Sequence, residues 1–177
     1  MTEYIIAQIA GVLGIVFSLL SFQMKERKKY MLCQIIAIVL FIIQLLLLGA
    51  ITGGVLDIIS LIRTVIFMFN NKKWASSPVW LFAFILAMIA VGVFTWQDLW
   101  SILPIIGSIL STVAQWMKKT KHIRAISLAV GPCWLIYNLV HGAYSGALNE
   151  VFAMTSIIIG IIRYDIKDKE VTKEEQK

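Results

Sequence analysis

The 177-residue chain is 59% hydrophobic and 15% charged, with a formal net charge of +6. A soluble domain is typically about 45–50% apolar and about 25% charged, so this composition excludes an ordinary cytosolic enzyme, a disordered chain and a nucleic-acid binder. The positive charge is read as a topology signal, and Cys33 and Cys133, both inside apolar runs, as small packing residues.

Crossing a hydrocarbon core of about 30 Å takes about 20 mostly apolar residues in a helix. Seven such stretches are predicted, over 4–23, 30–49, 53–70, 78–95, 99–117, 123–141 and 146–163. They are continuously apolar and do not alternate, which favours helices over barrel strands. The first lacks a basic n-region and an A-x-A-like site after it, and is expected to be a retained helix. It carries Gly14 and Ser18; the second carries Gln44 and ends in Gly49-Ala50. The third holds Asp57, on the order of 7 Å inside its start, and Arg63, about 10 Å from its other end. The fourth has no ionisable or amide side chain over Pro78–Phe94, as expected of a lipid-facing connector. The fifth holds Pro104, Gly107, Ser108 and Ser111, and the sixth holds Gly131-Pro132 with Trp134, Asn138 and His141 on one face. The seventh holds Glu150 and is followed by a polar tail.

Fifteen of the sixteen Lys and Arg fall on one side of a seven-helix count. They lie at 25–29, at 72–73, at 118–124 and from Arg163 onward, whereas the opposite side carries Glu3 and Asp98. Positive loops stay cytoplasmic, which places the N-terminus outside and the C-terminus inside.

Shifted by 93 residues, the stretch 14–71 matches 107–164 without a gap. Gly14 meets Gly107, Phe41 meets Trp134, Gln44 meets Tyr137, and Asp57 meets Glu150. G-A-I-T-G-G-V-L-D at 49–57 repeats as G-A-Y-S-G-A-L-N-E at 142–150. Three helices, one spacer and three more give both halves the same orientation. The chain then divides into a three-helix bundle at 1–71, a linker helix at 72–98, a second bundle at 99–164 and a cytoplasmic tail at 165–177.

Ionisable groups in a bilayer cost roughly 2.5–3.5 kcal/mol on insertion scales, so they are the first functional candidates. Asp57 and Glu150 are read as a coupling pair at the outer mouth. Arg63 needs a counter-charge or a water-filled path; Asp57, six residues away, is on another helix face, so Glu150 or another helix must supply the partner. Trp134 offers a stacking platform and Asn138 a two-way hydrogen bonder; with Gln44, Tyr137 and Arg63 they make the expected substrate site. His141 is expected to be an interfacial ring, and Gly131-Pro132 a loosened or kinked point.

The Q-M-K run at 23–25, the W-L-I-Y-N run at 134–138, the G-A-Y-S-G turn leading to Glu150 and the I-I-G-I-I-R-Y run at 158–164 resemble the YgjV-type bacterial inner-membrane protein family. The 3+1+3 plan looks like the SWEET, PQ-loop and PnuC-type transporter superfamily. That resemblance implies an all-α, multi-pass protein of the bacterial inner membrane, with two parallel three-helix bundles and a substrate path between them. It departs from the SWEET pattern in two ways. Pro104 has Gly11 as its repeat partner, and Asp57 and Glu150 stand on the third helices where asparagines are usual.

The function expected is a facilitator or proton-linked transporter of a small polar solute that is sugar-, nucleoside- or vitamin-like. A non-transporting receptor or scaffold on the same fold is the alternative. No enzyme motif is present: H-E-x-x-H, G-x-S-x-G, a P-loop and a Cys/His metal cluster are all missing from the sequence. No cofactor is expected. The expected partners are a solute and the bilayer, with homo-oligomerisation optional and nucleic acid excluded.

Overall fold

A computed structural model describes residues 2–23, 27–69, 72–117 and 120–162. Among these residues the chain forms seven α-helices and one short 3-10 turn: α1 (Thr2–Gln23), α2 (Arg27–Leu47), α3 (Ile51–Met68), α4 (Val79–Phe94), the 3-10 turn Leu99–Ser101, α5 (Ile102–Trp116), α6 (Thr120–Val140) and α7 (Tyr144–Gly160). Each follows one apolar run, because in lipid a helix satisfies its own backbone donors and acceptors. Among the described residues four segments are both long and apolar enough to cross a membrane: Thr2–Ser21, Ile51–Met68, Leu99–Trp116 and Lys121–Val140. The 16 residues of α4 rise only about 24 Å, short of a hydrocarbon core of about 30 Å.

The fifth predicted run is not one helix. Asp98 accepts from the Ser101 backbone N–H at 3.0 Å, and the Ser101 hydroxyl in turn meets the Asp98 N–H in a capping box. That box starts a 3-10 turn, and α5 proper begins at Ile102. Helix α2 begins at Arg27, so part of the basic run predicted as a loop is helical. Residues 24–26, 118–119 and the tail from 163, which carry much of the predicted charge bias, lie outside the described residues.

The turns from α2 to α3 and from α6 to α7 have one geometry. Gly49 and Gly142 adopt φ of 75° and 70°. Ala50 N–H reaches back to Leu45 O at 2.9 Å and Gly49 N–H to Leu46 O at 3.1 Å; Ala143 bonds Asn138 O at 2.8 Å and Gly142 bonds Leu139 O at 3.2 Å. These paired bonds make a Schellman stop, which needs a left-handed residue that glycine supplies most easily. The turns are tighter than predicted, since each following helix starts two residues beyond its glycine.

Packing runs α1–α2–α3–α5–α6–α7 and back to α1, so these six helices close a ring; α4 lies outside it against α3 and α5. The ring turns its bulky side chains outward. Phe82, Leu86, Val93 and Phe94 of α4 are exposed, as are Ile5, Ile9 and Val12 of α1. Ala7, Ala10, Ala37, Ser18, Ser21, Thr52, Ser108 and Ala147 are buried. Small residues inside and large apolar residues outside suit helices associating in lipid, where no hydrophobic force drives them together and close backbone approach supplies the contact. Where α3 and α4 meet, Phe67 packs edge-on against Phe84, which stacks on Trp80, and Phe67 also contacts Trp116 of α5.

Candidate functional site

The ring surrounds a partly open cavity of about 480 Å³. Among the described residues its wall is drawn from all six ring helices, and α4 supplies none of it. Helix α1 contributes Ser18, and α2 contributes Gln34, Phe41 and Gln44; α3 gives Asp57, Ser60 and Arg63. Helix α5 gives Ser108 and Ser111, α6 gives Trp134 and Asn138, and α7 gives Asn149 and Glu150.

Four helices therefore bring Gln44, Asp57, Arg63, Trp134, Asn138 and Glu150 onto one surface. Asp57 and Arg63 share it despite their six-residue spacing, because the cavity is wide and a long helical side chain leans toward its helix N-terminus. Arg63 is 3% exposed. It donates through Nη1 to Ser108 O at 3.3 Å and to the Thr112 hydroxyl, and through Nη2 to the Ser111 hydroxyl at 3.2 Å. Its hydrogen-bond acceptors thus come from α5 and are neutral, while the charge that acts on it through space is Asp57 of its own helix, not Glu150 or another helix as expected. Among the described residues no carboxylate pairs with the guanidinium, and its Nε has no hydrogen-bond partner.

Gln44 is 1% exposed; its Nε2 donates to Gln8 Oε1 at 3.3 Å, while its own Oε1 is unpartnered. Trp134 of α6 lies over Gly107 of α5, where a Cβ would fall 2.9 Å from the indole nitrogen. Phe41 lies over Gly14 in the same way, at 3.0 Å. The two aromatic walls so need glycine on the neighbouring helix.

Tyr137 is placed differently from its expected neighbours. It is fully buried behind the wall, where its hydroxyl accepts from Gly53 N–H at 3.0 Å and its ring lies 4.2 Å from His141. It ties α6 to the start of α3 and does not line the cavity. His141 is also off the cavity. Its Nε2 stands 3.5 Å from Asp98 Oδ2, so the interfacial ring is docked on the 3-10 turn. Helix α6 runs unbroken through Pro132, while Gly131 packs against Met154 of α7. Ser108 through its backbone carbonyl, and Ser111 and Thr112 through their hydroxyls, are the Arg63 acceptors. The signal in the sequence is the adjacent hydroxyls of Ser111 and Thr112 on α5, which a reading of charged groups alone misses. Among the described residues no cluster of three His, Cys, Asp or Glu can hold a metal ion.

Long apolar helices, an apolar exterior and a polar interior define a multi-pass membrane protein. Residues 5–168 match the Imp-YgjV family, described as bacterial inner membrane protein, and the chain belongs to that family. It is 25% identical over 164 residues to the inner membrane protein YgjV of Escherichia coli strain K12, an alignment covering 93% of this chain and 87% of that protein. No solved structure matches it. Family and helices together give a multi-pass location in the bacterial inner membrane.

Proposed function

We propose that this protein carries a small polar solute across the inner membrane through the central cavity. The observation that carries the reading is one cavity between two sets of helices, with Asp57, Glu150 and Arg63 all on its wall. Ionisable groups at membrane depth are costly and mark solute or proton paths. In this reading all seven helices cross the membrane, with the N-terminus outside and the C-terminus inside. Helices α1–α3 and α5–α7 are parallel repeats, and α4 is the linker. The matched glycine turns and the matched Gly14–Phe41 and Gly107–Trp134 contacts support that repeat. The plan is that of the SWEET and PQ-loop carriers, and alternating access is rocking of one half against the other. Asp57 and Glu150, at equivalent places in the two halves, exchange the proton that accompanies the solute.

The test is uptake by reconstituted vesicles, screened over sugars, nucleosides, vitamins and small acids. Wild-type protein moves at least one of these faster when the outside is acidic. The Asp57→Asn, Glu150→Gln double variant loses that acceleration. Uptake indifferent to the proton gradient, or undiminished in a well-inserted double variant, overturns the coupling role.

A further inference from the structure

We infer that Arg63 anchors the carboxylate of a small organic monoanion in the central cavity; this rests on reading that cavity as a solute site. The guanidinium is nearly sealed from solvent, yet its bonds go to a carbonyl and two hydroxyls, and its Nε has no partner. Two further buried polar atoms without partners, Gln44 Oε1 and Ser108 Oγ, belong to residues of the same wall. Asp57 attracts this buried cation only through space, across the cavity, so no carboxylate is bonded to the guanidinium and its fork is left open. The carboxylate of a solute fills it, since the guanidinium fork matches its two oxygens.

The rest of the wall narrows the class. Among the described lining residues Arg63 is the only basic one, and Asp57 and Glu150 are both acidic. A dianion such as phosphate would meet one cation and two opposing carboxylates, so a single negative charge fits better. Phe41, Leu45 and Trp134 give the solute an apolar and aromatic wall, which suits an organic body over an inorganic ion. A monoanion moving with one proton carries no net charge across the membrane, in keeping with an acidic pair on the same path.

The experiment is ligand binding to the full chain in lipid nanodiscs, read by tryptophan fluorescence. The probes are propionate, lactate and benzoate, each against its carboxamide, with glucose and uridine as neutral probes. At least one acid is expected to bind about tenfold or more tightly than its amide. Arg63→Lys should lose about tenfold in that affinity, and Arg63→Gln the whole preference for acid over amide. The acid–amide comparison is made on the wild-type chain, so it decides even where an Arg63 variant does not fold. Equal binding of acid and amide, or a preference that survives Arg63→Gln, overturns the inference. Binding of glucose or uridine with none of the acids also overturns it but leaves a carrier standing. No binding by any probe overturns it as well, and with no flux of any solute in the vesicle screen the carrier reading falls too.

Discussion

Gly49 and Gly142 hold φ of 75° and 70° with nothing within 4 Å of where a Cβ would sit. Substitution there meets no clash, and its cost is purely conformational. Gly49→Ala and Gly142→Ala should each cost about 1–2 kcal/mol of stability, and Asn at either site clearly less. Denaturation of the purified variants in detergent checks the order Gly, then Asn, then Ala. Thr112 is a different case. It is fully buried and accepts from Arg63 while its hydroxyl donates to Ser108 O at 2.7 Å. Thr112→Val keeps the shape and removes the acceptor from a buried cation. The expected loss is about 1–3 kcal/mol, and Thr112→Ser should recover most of it. Equal stability of Val and Ser variants would show that Arg63 does not depend on this contact. At this scale the sequence was legible where chemistry is rare. Asp57, Arg63 and Glu150 were found because charge in an apolar run is conspicuous, and all three lie on the cavity. Tyr137 enters the expected site as the repeat partner of Gln44, and such a match does not say what the ring meets. Here it meets the Gly53 backbone instead of a void.

Helix starts depend on groups far away in sequence. The first residues of α3 have no side-chain cap from Ala50. Instead Gln97 accepts from Ile51 N–H at 2.8 Å and from Thr52 N–H at 3.3 Å, and its Nε2 donates to Gly49 O at 2.9 Å. One amide thus serves both the end of α2 and the start of α3. Gln8 of α1 binds the matching carbonyl in the other half, donating to Gly142 O at 2.7 Å. Gln97→Ala should destabilise the protein by about 1 kcal/mol through the orphaned helix start. Gln97→Glu keeps the acceptor and should fall between the two, as hydrogen exchange at Ile51 and Thr52 would register. The existence and order of all seven helices were legible, because runs of apolar residues and their glycine and lysine breaks dictate them. The break at Leu99 was not, since Asp98 reads equally well as a surface charge and as a cap; only the bond to Ser101 separates the two.

The whole molecule is a ring whose sixfold closure no local pattern encodes. The proposed repeat of 93 residues draws its support from equivalent glycine geometry at 49 and 142 and equivalent aromatic contacts at 14–41 and 107–134. Which helices join the two halves and close the ring, α1 with α7 and α3 with α5, depends on side-chain shapes that periodicity does not carry. The proposed orientation, with lysine-rich loops inside, predicts that a green fluorescent protein fused at the C-terminus fluoresces and that alkaline phosphatase inserted at 142 is active. The reverse pattern would invert the topology.

Alternating access requires a path opened by turns to the two faces of the membrane, and Ser60 is its most direct probe. It lies on the cavity wall between Asp57 and Arg63. In a chain with Cys33 and Cys133 replaced, Ser60→Cys should react with a membrane-impermeant thiol reagent in right-side-out and in inverted vesicles alike. Reaction from one side alone, or from neither, would contradict alternating access.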